Sequence, residues 1–156
     1  MTVKIQVVDE FNQWQELLNL LFSAFEFQHS RIDPPSSLLL LNVNSIIEKA
    51  SAEQLMVALK DGELVGCVFV RNQGNLLYVG KLAVAKHLQG CGIARQLMQE
   101  VESYAKGESK EVLELQVRIE LVENIAAFSA LGFVESGRTA HRGYDRMTSV
   151  TMQKFL

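Results

Sequence analysis

Cysteine is scarce in these 156 residues: Cys67 and Cys91 are too few for a disulfide framework and lack the spacing of a metal site. Cys67 lies in an apolar run and reads as a small buried hydrophobe, whereas Cys91 stands between two glycines, where it could be exposed. Proline occurs twice, side by side as Pro34 and Pro35 after Asp33, and marks one break in the pattern. Basic charge is not in excess: 15 Lys and Arg against 18 Asp and Glu give a net charge of −3. That is not the footprint of a dedicated nucleic-acid binder. The longest apolar run, 38–41, falls far short of the roughly 20 residues of a membrane span, so no membrane partner is expected. The N-terminus has neither the basic stretch nor the apolar stretch of a signal peptide, which makes the cytoplasm the expected location. Repeats, low-complexity tracts and linkers are missing. With 48% apolar and 21% charged residues, 1–156 reads as one ordinary globular domain, long enough to bury about 70% of its unfolded surface.

Hydrophobic periodicity gives the order of the elements. Val3, Ile5, Val7 and Val8 open a strand. From Trp14, the residues Leu17, Leu18, Leu21, Phe22 and Phe25 fall at offsets of 3, 4, 7, 8 and 11, one stripe of an amphipathic helix. A second, shorter helix is expected after the Asp33-Pro34-Pro35 break. Ser45-x-x-Glu48 fits a capping box leading toward Ala50, and the leucines of 38–41 could begin this helix earlier. Residues 55–59 and 64–70 flank Asp61-Gly62, the signature of a hairpin with a type I′ turn. Asn72-Gln73-Gly74-Asn75 then turns the chain into a strand over 76–84, completing an antiparallel meander. Ile93, Leu97, Val101 and Tyr104 share the face of a helix that Lys106-Gly107 stops. Residues 112–119 alternate apolar and polar, and this strand must lie parallel to the one before it because a helix carries the crossover. A short helix over 124–131 ends at Gly132. Strands over 133–139 and 149–155, joined by the loop 140–147, close the chain. The order is β-α-α-β-β-β-α-β-α-β-β, a mixed sheet with helices on its faces in an α/β or α+β arrangement.

One segment carries a chemical signal. Gln89-Gly90-Cys91-Gly92-Ile93-Ala94 lies between a strand and a helix. The first amides of a helix have no internal partners, and with the helix dipole they make a site for an anion such as phosphate. Two familiar phosphate motifs are excluded: no G-x-x-x-x-G-K-[ST] occurs, and Arg95 stands where a dinucleotide fingerprint needs its last glycine. A glycine-rich turn without a ligand is the plain alternative.

Gln89-x-x-Gly92-x-Ala94 resembles the (Gln/Arg)-x-x-Gly-x-(Gly/Ala) signature of the GNAT N-acetyltransferase superfamily, and it falls in the family's place, after the fourth strand and at the start of the third helix. The element order is also that of the family, and Asn124 with Gly132-Phe133 is similar to its later motif. The resemblance spans nearly the whole chain. It implies a mixed sheet splayed at its centre, acetyl-CoA as co-substrate, and an amine of a small molecule or peptide as acceptor. It implies that Gln89, Gly90, Cys91, Gly92, Ile93, Ala94 and Arg95 hold the pyrophosphate, and that Leu82, Ala83 and Val84 pair with the pantetheine arm as a neighbouring strand would. One of these strand amides would also polarise the thioester carbonyl. Asn124 matches a position that contacts the cofactor arm, with a helix cap as its plain alternative.

The sequence departs from the family at Phe128. Many members carry a tyrosine there, four residues before the Gly of Gly-Phe, to protonate the leaving thiolate. Phe128 has no hydroxyl and is expected to pack near the thioester or in the core. Transfer needs a neutral amine, and a free alkylamine of pKa about 10.4 is neutral in roughly one molecule per thousand at pH 7, so a group must take the proton. Glu120 and Glu123 follow the fifth strand. His141 and Tyr144 lie in the loop that borders the acceptor site in the family, and Tyr144 could replace the missing hydroxyl. Tyr78 reads as core or pocket wall. Arg118 could pair with Glu120 or orient a substrate anion. Arg31, Asp33 and the prolines lie where family members shape the acceptor pocket, which the leucines of 38–41 could make apolar. A non-catalytic acyl-CoA-binding domain and transfer of a longer acyl group stay open, as does the oligomeric state, a homodimer included.

Overall fold

The stripe beginning at Trp14 becomes a helix because burying it on one face removes several leucines from water at once. Leu17, Leu18, Leu21 and Ala24 are buried against the sheet. The computed structural model describes residues 2–156. Its elements are β1 (Lys4–Val7), α1 (Trp14–Phe25), α2 (Val43–Ala52), β2 (Gln54–Lys60), β3 (Glu63–Gln73), β4 (Leu76–Val84), α3 (Ile93–Gly107), β5 (Val112–Arg118), α4 (Val122–Ala130), β6 (Val134–Thr139) and β7 (Ser149–Phe155). This is the order expected from the sequence, in a mixed α/β arrangement.

Seven strands form one sheet in the order β1-β2-β3-β4-β5-β7-β6. Every neighbouring pair is antiparallel except β4 and β5, which run parallel because α3 carries the crossover. At Asp61-Gly62 both residues have positive φ, 52° and 79°, as the type I′ turn requires. One apolar core fills the α3 and α4 face, the other the α1 and α2 face.

The sheet opens in its middle. β4 and β5 pair only at Leu76↔Val112, Leu77↔Leu113 and Tyr78↔Glu114, although both strands continue well past that point. On its other side β4 carries a bulge: Cys67 faces Ala83 and Phe69 faces Gly80, so Lys81 and Leu82 together oppose Val68. Lys81 takes a left-handed conformation there, φ 54°. Close packing at the same level comes from Gly66, where an added Cβ would lie 3.2 Å from Ala58 Cβ, the Ala83 carbonyl and Ile93 Cγ2. The missing side chain lets the first turn of α3 settle onto the sheet beside the opening.

Three expectations need correction. The second helix starts at Val43 with Asn42 as its cap, not with Ser45: Asn42 Oδ1 accepts from Ser45 N at 2.9 Å and Ser45 Oγ accepts from Asn42 N at 3.0 Å, so Ser45 is the inner member of the box. The leucines of 38–41 do not begin this helix. Ser36 Oγ accepts from Leu38 N at 3.1 Å and starts a separate 3-10 turn, Ser37–Leu40, which buries Leu38 and leaves Leu40 82% exposed. In addition, α4 begins at Val122, which puts Asn124 inside its first turn rather than at its cap.

Candidate active site

Gly92 caps α3 with φ 86°, and Gly90 two residues earlier has φ 83°. An added Cβ at either position would meet nothing within 4 Å, so both glycines border open space. Among the described residues, no acceptor meets the N–H groups of Gly90, Gly92, Ile93, Ala94 or Arg95. The amides of Gln89 and Cys91 are not free: they close the preceding turn by donating to Lys86 O at 3.4 Å and Leu88 O at 3.3 Å. The Gln89 side chain donates to Val84 O at 3.3 Å and ties the loop to the end of β4. Five orphaned donors at the positive end of a 15-residue helix form a cradle for an anion.

A groove of about 680 Å³ runs from this cradle along the open edge of β4. Leu82, Ala83, Val84, Gln89, Gly90, Gly92, Ile93, Ala94 and Arg95 line it, with Asn124 and Phe128 on the facing helix; Cys91 is exposed outside the lining. Phe128 packs edge-on against Phe133, ring centroids 5.9 Å apart. A second cavity, about 650 Å³, lies between the segment 34–40 and the parted ends of β4 and β5. Phe25, Leu82, Asn124 and Phe128 border both, so the two spaces meet where β4 and β5 part.

The candidate proton-transfer residues divide into two groups. His141 lines the second cavity. Thr148 tethers it: the His141 amide donates to Thr148 Oγ1 at 2.8 Å, and the same hydroxyl meets Nδ1, leaving Nε2 unbonded by protein. Partial burial, then the Arg118 charge, pushes the imidazole below its ordinary 6.5, so it is mostly neutral at neutral pH. Glu120 and Tyr144 line neither cavity. Tyr144 donates to Asp33 Oδ1 at 2.6 Å, and this bond holds its hydroxyl above the ordinary phenol range. Glu120 Oε2 accepts from Asp33 N at 3.1 Å.

These contacts belong to a strap over the segment 31–35. Arg31 binds Glu123, which lines the groove beside the anion cradle, and Arg146 donates to Asp33 O at 2.7 Å. Arg118 does not pair with Glu120; it donates to Pro34 O at 2.5 Å and Pro35 O at 3.1 Å. Tyr78 is a wall of the second cavity, with the Arg71 guanidinium 4.7 Å from its ring centre. Sequence reasoning missed Lys81 and Gln116, which line the same cavity. Gln116 was readable as a polar-face residue of the alternating strand. Lys81 left a weaker signal, a lysine in register with buried Val79 and Ala83.

The acetyltransferase (GNAT) family model matches residues 14–133. The chain belongs to that family. As a GNAT protein it is an acetyltransferase that uses acetyl-CoA as co-substrate and an amine as acceptor. The orphaned amides and the open space beside Gly90 and Gly92 fit the diphosphate of that co-substrate. The fold is shared with paiA N-acetyltransferase from Thermoplasma acidophilum in complex with coenzyme A, at 14% identity over 100% of both chains and a TM-score of 0.80. It is shared as well with an IAA acetyltransferase from Bacillus cereus, at 20% identity over 99% of this chain and 100% of that one, TM-score 0.70. Ribosomal-protein-S18-alanine N-acetyltransferase from Escherichia coli matches at 16% identity over 99% of this chain and 94% of its own, TM-score 0.73. No curated protein sequence matches the chain. Among the described residues no helix is long and apolar enough to cross a membrane.

Proposed function

We propose that residues 1–156 act as one N-acetyltransferase domain that moves an acetyl group from acetyl-CoA to a primary amine of a small molecule or peptide by direct attack on the thioester. The observation that carries this reading is the opening between β4 and β5, with an anion cradle at one end and a separate cavity across it. Acetyl-CoA, when bound, supplies an activated acyl carbon. The amides of Gly90, Gly92, Ile93, Ala94 and Arg95 receive its diphosphate, with the Arg95 side chain adding charge. The open edge formed by Leu82, Ala83 and Val84 takes the arm, and Asn124 and Phe128 close the groove from α4. Gln89 ties the loop to β4, and Cys91 contributes backbone shape.

In the second cavity His141 is the proton acceptor. With Nδ1–H directed at Thr148, Nε2 presents its lone pair to the incoming ammonium, directly or through water. The amine nitrogen then bonds to the acyl carbon as the carbon–sulfur bond breaks. Phe128 cannot protonate the sulfur, and no residue bordering both cavities is acidic. A thiol of pKa about 8.5 leaves tolerably as thiolate and takes its proton from solvent. Glu120 and Tyr144 are positioning residues that hold the segment 31–35 as the cavity wall. Two free cysteines suit a reducing, cytoplasmic setting.

Phe128 also favours a second reading, a non-catalytic acyl-CoA-binding domain. Calorimetry with acetyl-CoA followed by thiol release across a panel of primary amines separates the two. Heat and thiol release support the enzyme; heat with no thiol release for any amine supports the binding domain; no heat removes both.

A further inference from the structure

The second cavity carries charge of one sign. Among the described residues its lining includes Lys81 and Arg118 but no aspartate or glutamate. Lys81 lies on β4 just past the last β4–β5 pair and Arg118 ends β5, so the two cations occupy opposite lips of the opening. The Lys81 ammonium has no hydrogen-bond or ion-pair partner among the described residues; Glu53, whose charge reaches it, is bound to Lys49 at 2.8 Å. Burial, and then the nearby Lys49 charge, lower its basicity. Its backbone is held at φ 54° by the bulge, a conformation that disfavours an ordinary side chain. Arg118 spends one nitrogen on the Pro34 and Pro35 carbonyls, forms no ion pair, and keeps Nη1 buried without an acceptor. The strap beside it balances its own charges, three arginines (Arg31, Arg118, Arg146) against Asp33, Glu120 and Glu123. Of the two cations in the lining, Lys81 is therefore the one that no carboxylate of the strap balances.

Resting on the acetyltransferase reading above, we propose that the acceptor amine also carries an anionic group, a carboxylate or a phosphate, which Lys81 receives with Arg118 reinforcing the field. A half-dehydrated ammonium without a partner is unfavourable, and an anion on the acceptor supplies the missing charge-assisted bond. A neutral analogue leaves that ammonium unpaired, and a polyamine adds like charge to it. The leucines and prolines on the opposite wall accept the apolar remainder of the molecule.

The test uses the full chain with acetyl-CoA and matched amine pairs: L-leucine against L-leucinamide, and O-phosphoethanolamine against ethanolamine, with spermidine as the polycation. The anionic member of at least one pair is expected to lead in kcat/KM by about tenfold or more, and the leading pair identifies carboxylate or phosphate. Lys81→Met levels that ratio and Lys81→Arg restores it, while calorimetry with acetyl-CoA verifies that each variant is folded. Preference for the neutral or cationic member, or a ratio unmoved in Lys81→Met, overturns the proposal. A readout free of turnover is the ¹³C resonance of the Lys81 ε-carbon, assigned by its loss in Lys81→Met, during titration with acetate or inorganic phosphate. A saturable shift is expected, and a resonance that does not move overturns the anion site. A saturable shift without turnover of any amine leaves the anion site standing and removes the acetyltransferase reading instead.

Discussion

Replacing Gly92 by alanine isolates the anion cradle from the rest of the fold. The added methyl meets no atom within 4 Å, so no clash is introduced. The residue sits at φ 86°, and an L-side chain there costs about 1–2 kcal/mol. The chain can bear that strain or relieve it by turning the peptide, and turning it withdraws an amide from the diphosphate. An amide bond to a charged oxygen contributes about 1.5–3 kcal/mol, so the expected loss is about 10–100-fold in acetyl-CoA affinity. Gly74→Ala is the matched control: its φ is 64°, its Cβ also meets nothing within 4 Å, and it lies in the β3–β4 turn away from both cavities. Both variants should lose a few degrees of Tm, since about 1 kcal/mol corresponds to roughly 2–4 °C at this size. Only Gly92→Ala should weaken acetyl-CoA in calorimetry. Equal affinities for Gly92→Ala, Gly74→Ala and wild type would refute the assignment of the diphosphate to these amides.

Other expectations follow from the same geometry. His141→Ala should lower kcat by about 10²–10⁴. Because burial and Arg118 hold its ring below the ordinary value, wild-type kcat/KM should rise with pH through a value under 6.5; a profile with no limb below neutrality would exclude it as the base. Thr148→Val removes the tether and should cost roughly tenfold in kcat/KM. Glu123 is held at about 2 by its bond to Arg31, below its ordinary 4.5. A lowered carboxylate stabilises the fold above the unfolded value, and that contribution disappears as pH falls through the folded one. The Tm difference between wild type and Glu123→Gln should therefore be full above 4.5 and close as pH approaches about 2; a difference independent of pH would contradict the ion pair. A thiol reagent should modify exposed Cys91 readily and leave Cys67 untouched, since burial pushes the Cys67 thiol up to about 12. Bound acetyl-CoA should slow the Cys91 reaction; unslowed labelling at saturation would argue against a cofactor over the loop.

The fold was legible where one physical signal dominated. The stripe of α1, the Asp61-Gly62 turn and the alternation of β5 each depend on neighbours in sequence, and all three stand. The leucines of 38–41 misled because an apolar run does not distinguish a helix start from a 3-10 turn; a serine hydroxyl on the Leu38 amide decided it. Asn42 outcompeted Ser45 as the cap for the same local reason, an asparagine carbonyl placed three residues before an amide. Glu120, Tyr144 and Arg118 could be flagged from sequence as chemistry-bearing. Their engagement with Asp33 and the prolines spans more than 80 positions of chain, and no periodicity carries that information.

Lys81 shows most clearly why a site resists reading from sequence. Regular alternation would place it beside Val79 and Ala83, an inward position that a lysine should avoid. The bulge opposite Val68 turns it out of that register at the cost of a left-handed backbone, and past Tyr78 β4 has no further pair toward β5. An unpaired strand edge and a helix start with five free amides are both unfavourable when a fold is built for stability alone. Here they lie side by side because Gly66 admits Ile93, and with it the first turn of α3, onto the sheet next to the opening. These three groups border cavities large enough for ligand groups that would satisfy them: amides for a diphosphate, strand edge for an amide-bearing arm, lysine for an anion. Independent defects would scatter over the molecule. The convergence of these three on one split in the sheet is the physical argument for proposing that split as the binding surface.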